Sequence, residues 1–249
     1  MSQENNEIIA GRNAVHEALR SGRSLNKIIL QEGAHGGSLG EIISLAKEYN
    51  ISIEISKQDK LDKLSPDVKH QGIIALGSPV AFASLEDVFK KAESKGEPPF
   101  IILLDELQDP QNVGAIIRTA DAAGAHGILL PKRRTCPLNS VVAKISAGAV
   151  NYVPIVQIGN ISQTLDDLKD QGCWVVGADM DGECVYNSNV KGSIVLVVGA
   201  EGKGLGRLVK QKCDLIVSLR MQGGVNSLNA SNAAAVLMYE IVRQRMMVK

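Results

Sequence analysis

Short runs of Ile, Val and Leu recur along the chain, separated by stretches with apolar residues at helical spacing. The apolar runs predict strands over 27–30, 51–55, 72–76, 100–104, 127–130, 152–156, 173–177, 193–198 and 215–219. Many are continuously apolar rather than alternating, which marks strands covered on both faces, as in a parallel sheet flanked by helices. The helical stretches fall over 14–20, 39–49, 85–94, 113–123, 139–149 and 227–245. The alternation of the two patterns predicts an α/β fold.

One polar stretch interrupts the alternation. Gly77, Ser78 and Pro79 close a strand, LEDVFKKAESKGE follows, and Pro98 and Pro99 precede a very apolar run. Composition of this kind reads as a linker over 78–96. It divides a small α/β domain of residues 1–77 from a larger one of 97–249. There is no internal repeat and no low-complexity segment.

Composition narrows the class. The chain has 249 residues, 45% of them apolar, enough to bury a core and exclude disorder as its main state. Lys and Arg number 27 against 27 Asp and Glu, which excludes a strongly basic nucleic-acid wrapper but not a locally basic site. Aromatics at 3% weigh against stacking platforms for single-stranded RNA. Cys136, Cys173, Cys184 and Cys213 are scattered with no C-x-x-C pair, so neither a disulfide framework nor a metal site is predicted. The start, MSQENNEIIAGRN, is no signal peptide, and the longest apolar run, 194–198, falls far short of the ~20 residues that span a bilayer. A cytoplasmic protein with no membrane partner is predicted.

Several common motifs fail. GAEGKGLG lacks both the leading Gly of a phosphate loop, where Val197 stands, and its Ser or Thr, where Gly204 stands. The same run does not meet the dinucleotide fingerprint. Gly36 to Gly40 matches G-x-S-x-G around Ser38, but within a long loop rather than a tight elbow.

Three segments carry more than turn chemistry. In DELQDPQNVGAIIRTA a strand ends at Asp105, Asp109 and Pro110 turn, and a helix starts near Gln111 or Asn112. Asn112 serves there as an ordinary cap. Arg118 sits within an apolar, small-residue helix, where it must find an anion or a carboxylate. In IVLVVGAEGKGL a buried strand feeds a glycine-rich bend holding Glu201 and Lys203, and glycines there admit a ligand to the backbone. In LRMQGGVNSLNASNAAAVLMYE a glycine loop leads to a small-residue helix beginning near Ser227, with Ser227 or Asn229 as cap.

Together these segments resemble the SpoU/TrmH branch of the SPOUT RNA methyltransferases. Its motifs DPxNxGxxxRTA, VxGxExxGL and SLNxSxAxA are matched in order by 109–120, 197–205 and 227–235, and KISAGAV stands between the first two. GRNAVHEAL and HQGIIA resemble the small L30e-like substrate-binding domain of many members. Two departures stand near the cofactor pocket: Leu219-Arg220-Met221 replaces Ile-Pro-Met, and Ala230 and Asn232 replace small apolar residues.

The resemblance implies S-adenosylmethionine-dependent methylation of a ribose 2′-hydroxyl. It points to a guanosine of 23S rRNA, with tRNA as the alternative. It further implies a deep trefoil knot around a mostly parallel sheet, a topology that general rules reject, and a homodimer formed through the C-terminal domain. It places the cofactor against Gly199, Leu219 and Leu228, with backbone contacts near Gly202 and Met221. Arg118 is then either a general base or a holder of RNA phosphate; the first role is hard on a guanidinium, which stays protonated in proteins. Asn112 positions Arg118 or the ribose, Glu201 orients Arg118 or a partner loop, and Ser227 and Asn229 belong to the catalytic pocket. RNA contacts are predicted at Arg12, Asn13, His16, Lys132 and Arg133, and at the cluster Lys203, Arg207, Lys210 and Lys212. Two rivals are a non-catalytic RNA-binding module and a nucleotide-dependent oxidoreductase.

Overall fold

A computed structural model describes residues 7–66, 68–78 and 80–247, so the polar start and Pro79 lie outside the described residues. The elements run β1 (Glu7–Ala10), α1 (Arg12–Arg20), β2 (Leu25–Gln31), α2 (Leu39–Glu48), β3 (Ile53–Ser56), α3 (Gln58–Leu64) and β4 (Ile73–Gly77). There follow α4 (Leu85–Lys95), β5 (Phe100–Leu104), α5 (Pro110–Ala122), β6 (Gly127–Pro131), α6 (Ser140–Ile145), β7 (Ile155–Ile158) and α7 (Ile161–Asp170). The chain ends with β8 (Trp174–Cys184), β9 (Ile194–Val198), α8 (Arg207–Lys212), β10 (Leu215–Ser218) and α9 (Ala230–Met246).

Two compact units result: Met1–Ala81 with Pro137–Val141, and Phe82–Cys136 with Val142–Lys249. The first is built on a mixed four-stranded sheet in the order β1-β4-β2-β3. Strand β4 pairs antiparallel with β1 and β2, and β2 pairs parallel with β3. Its core is formed by Val15, Leu19, Ile28, Ile42 and Ile73, drawn from α1, α2 and the sheet.

The second unit holds six strands in the order β10-β8-β9-β5-β6-β7, every neighbouring pair parallel. Strands β9 and β5 are buried along their whole length, as their unbroken Ile, Val, Leu and Phe require. Because the strands are parallel, the loops that leave β5, β8, β9 and β10 emerge at one edge. Ligands of open α/β sheets bind at that carboxyl edge.

The stretch read as a linker carries the helix predicted over 85–94. Leu85–Lys95 is a helix with a capping box between Ser84 and Asp87, and Val88 is buried in the core of the second unit. Its charged residues occupy the outer face only. The helix predicted over 139–149 breaks after Ile145, with Ala147 and Gly148 at positive φ.

Candidate functional site

Helix α5 begins one turn earlier than its apolar pattern shows. Asp109 caps it, accepting from the backbone N–H groups of Gln111 and Asn112, and Pro110 takes the first position, where no N–H is needed. Asn112 is therefore not the cap. Its buried side chain is free to act elsewhere, and it donates to Glu201 Oε1 at 3.2 Å.

Glu201 lies in the glycine-rich loop after β9. Its Oε1 also accepts from the side-chain amide of Asn229 and from the backbone N–H of Ala230 at 3.2 Å. Asn229, rather than Ser227, caps α9: its Oδ1 accepts from Ser231 and Asn232 N–H at 2.9 and 3.3 Å. One carboxylate at the start of α9 thus joins all three sequence segments, in a place where the helix dipole favours negative charge.

The loop itself is folded tightly on its own backbone. Gly204 N–H donates to Ala200 O at 2.9 Å. A Cβ at Gly199 would stand 2.2 Å from Gly204 O, so only glycine fits. The loop's far end is tied by Asp105, a buried carboxylate at the end of β5 that accepts from Gly206 N–H at 2.8 Å. Burial pushes the Asp105 carboxyl upward, and the Gly206 hydrogen bond opposes it.

Between this loop and the segment before α9 lies a cavity of about 1000 Å³. Gly199, Glu201, Gly202, Leu219, Met221, Ser227 and Leu228 all line it, so every predicted cofactor contact faces one space. Gly202 and Gly223 leave open room where a side chain would stand, giving a ligand access to backbone N–H and C=O groups. Of the departing residues, Arg220 and Ala230 line the cavity, whereas Asn232 does not.

The third wall was not foreseen. Strand β8 leaves its ladder with β10 after Gly177 and rejoins it at Glu183, while β10 advances only from Ile216 to Val217. The intervening excursion carries Ala178, Asp179, Met180 and Asp181 to the cavity. Gly182 closes it, since a Cβ there would meet the Ile216 and Val217 backbone at 2.6 Å. Glycines bounding GADMDG are the sequence signal of such a bulge.

For Arg118 the structure corrects only the expected burial. This residue is exposed on α5, makes no ion pair among the described residues and does not line the cavity. Exposure to water removes the need for an internal carboxylate. Glu201 and Asn112 engage each other.

The predicted RNA contacts divide. Arg12 is spent within its own unit: its guanidinium donates to the carbonyls of Gly36, Gln71 and His35, fixing the loop before α2. His16 Nε2 stands 3.0 Å from Glu41, and Asn13 is exposed. Lys132 is half-buried, with its ammonium pulled below the usual lysine range by burial, while Arg133 is exposed. Within the second cluster Lys210 pairs with Asp179 and Asp181, and Lys212 with Asp166 at 2.5 Å. Lys203 and Arg207 are exposed, line the cavity and have no ion pair among the described residues.

Burial pushes Cys173 and Cys213 up to about 11 and about 12, so neither is a ready nucleophile. No helix among the described residues is long and apolar enough to cross a membrane.

Known proteins are similar to this chain. Residues 99–239 match the model of the SpoU rRNA Methylase family, and residues 8–83 match that for RNA 2′-O ribose methyltransferase substrate binding. The chain is 46% identical over 246 residues to YacO of Bacillus subtilis (strain 168), assigned to the TrmH family of tRNA/rRNA methyltransferases, covering 98% of each. A Staphylococcus aureus (strain MSSA476) protein with the same family assignment is 42% identical over 239 residues, 96% of each. In fold the chain is similar to the SpoU methyltransferase AviRb of Streptomyces viridochromogenes, solved with AdoMet: TM-score 0.60, 24% identity, 96% of this chain and 90% of that one.

Proposed function

The chain belongs to the SpoU methylase family, and from that membership we propose that its cavity holds S-adenosylmethionine and that its target is a guanosine ribose in 23S rRNA. The reaction class is S-adenosylmethionine-dependent 2′-O-methylation of RNA ribose, on rRNA or tRNA. The observation that carries the reading is the meeting of Asn112, Glu201 and Asn229 beside a glycine-lined cavity at the carboxyl edge of the sheet.

S-adenosylmethionine, when bound, supplies an electrophilic methyl group on a sulfonium. The chain's own residues provide the rest. The backbone of 199–204 and of Leu219, Met221 and Leu228 would hold the donor, as its apolar and peptide-lined walls suit a nucleoside. Glu201 keeps the loop in register with α5 and α9, beside the cavity that Ser227 lines. Lys203 and Arg207 at the rim meet RNA phosphates, which position the ribose. Geometry of this kind supplies much of the rate in a bimolecular transfer.

Arg118, exposed on α5 and absent from its own chain's cavity, favours a site completed by a second copy, in which this guanidinium reaches the RNA bound at the partner's cavity. There it holds phosphate and orients the ribose; a proton-accepting role is the second reading. A single-turnover pH–rate profile of Arg118→Lys separates them. Weakened RNA binding with the profile unchanged supports phosphate holding, and near-normal chemistry shifted to lower pH supports the base.

The family's knot would bring loops from separate strands to one place, in keeping with the clustering of all three motifs. The L30e-like front domain favours rRNA over tRNA. Mapping 2′-O-methyl positions in total RNA with and without the gene product tests the target. Loss of one 23S guanosine signal supports the proposal, and loss confined to tRNA redirects it.

A further inference from the structure

The excursion of β8 poses a mechanical problem. Residues 178–182 depart from the β10 ladder, yet 178–181 form one wall of the cavity. At its far end Ser218 Oγ donates to Gly182 O at 2.8 Å. Its middle is held by side chains. Asp179, 13% exposed, receives Lys210 Nζ at 3.0 Å on Oδ1, and the same oxygen accepts from Asp181 N–H at 3.2 Å. Leu205 N–H, at the end of the glycine-rich loop, also helps to lower this carboxyl. Lys210 reaches Asp181 Oδ2 at 3.0 Å as well, so one ammonium bridges two carboxylates of the excursion. A Cβ on Gly204 would stand 2.9 Å from Asp179 Oδ2, which shows how closely the loop and the excursion approach.

Burial alone would raise Asp179; the hydrogen bonds from Lys210, Asp181 and Leu205 outweigh it and hold the carboxyl below the ordinary range. The charge is therefore fixed where three cavity-forming segments converge: the excursion, the glycine-rich loop and α8. Glu201 ties the same loop at its other end, and Asp105 ties its last residue.

We propose that Asp179, held by Lys210, is a positioning residue for the methyl-donor pocket, clasping the β8 excursion onto the glycine-rich loop. The inference rests on the reading of the cavity as the donor site. Neither residue contacts the reacting atoms. Their effect is to fix the distance between two walls, and so the affinity for the donor, rather than the chemistry at saturation.

Titration calorimetry with S-adenosylmethionine on the full chain, beside methyl transfer at saturating donor, tests it. Asp179→Asn and Lys210→Met each weaken donor binding about tenfold, with turnover at saturating donor within about twofold of wild type. The double variant is no weaker than either single one, because both break the same tie. Lys210→Arg restores most of the affinity. Lys210 is partly exposed, so its variants keep the fold if Asp179→Asn does not. Wild-type affinity in Lys210→Met, or a fall in turnover with donor affinity intact, overturns the clasp. Failure of the wild-type chain to take up the donor overturns the cavity reading instead.

Discussion

Asn112 Nδ2 donates to Glu201 Oε1 at 3.2 Å, joining the first turn of α5 to a loop 89 residues further along the chain. Asn229 and the N–H of Ala230 complete the same carboxylate, so one acidic group sets the relative placement of three segments.

Glu201→Ala leaves those three donors without their shared acceptor. Methyl transfer (kcat/KM) falls about 100-fold, the scale of an ångström-sized misplacement. Thermal stability drops by on the order of 1 kcal/mol, because the α9 cap formed by Asn229 survives. Glu201→Gln retains one acceptor and loses less. Steady-state kinetics beside a melting curve separates the two effects; equal activity in Glu201→Ala and wild type contradicts the account.

Gly199→Ala introduces a methyl group 2.2 Å from Gly204 O. Backbone cannot yield cheaply there, so the loop opens at a cost of about 1–3 kcal/mol. Calorimetry is expected to show no donor binding, while the far-UV spectrum stays native.

Asp105 gives a pH signature. Burial raises its carboxyl in the folded chain, so the native state binds the proton more readily than the unfolded one. Stability then declines as pH climbs from the ordinary value, about 3.9, through the raised one. Asp105→Asn removes that decline while keeping an acceptor for Gly206 N–H. The variant gains most over wild type at neutral pH, about 1.4 kcal/mol for each unit of upward displacement. Urea titrations across an acidic-to-neutral series check it, and the gain must shrink toward the acidic end.

The fold was largely legible because β5 and β9 are apolar throughout and their helices are periodic. Strand β1 was missed because it is short, at the sheet edge and half exposed. Helix α3 buries only Leu61, and α8 spans six residues, so neither shows a face. Helix α7 did carry a signal, an Asn160 cap and apolar Ile161, Leu165 and Leu168, which passed unread. The cavity-lining Gly199 and Gly202 were legible because a backbone-lined bend needs glycine. The excursion of β8 left only the glycines of GADMDG as its signal, because its pairing depends on contacts far away in sequence. Arg118 has apolar neighbours in sequence yet is exposed, because adjacent residues of a helix point to different sides.

Charge neutralisation sorts the basic cluster. Lys212 is held by Asp166, whereas Lys203 and Arg207 are unpaired among the described residues. Lys203→Ala with Arg207→Ala weakens RNA binding and reduces the salt slope by roughly 1–2, one increment for each lost phosphate contact. Lys212→Ala leaves the slope unchanged. Binding isotherms across a salt series read this directly.

The central claim is that the Glu201-centred cavity delivers a methyl group from S-adenosylmethionine to a ribose hydroxyl. Purified protein is incubated with methyl-labelled S-adenosylmethionine and RNA lacking the modification, and the RNA is digested to nucleosides for mass spectrometry. The account predicts label on the ribose of a single 2′-O-methylnucleoside, abolished by Gly199→Ala. Label on a nucleobase, or none with active wild-type protein and both RNA classes present, contradicts it.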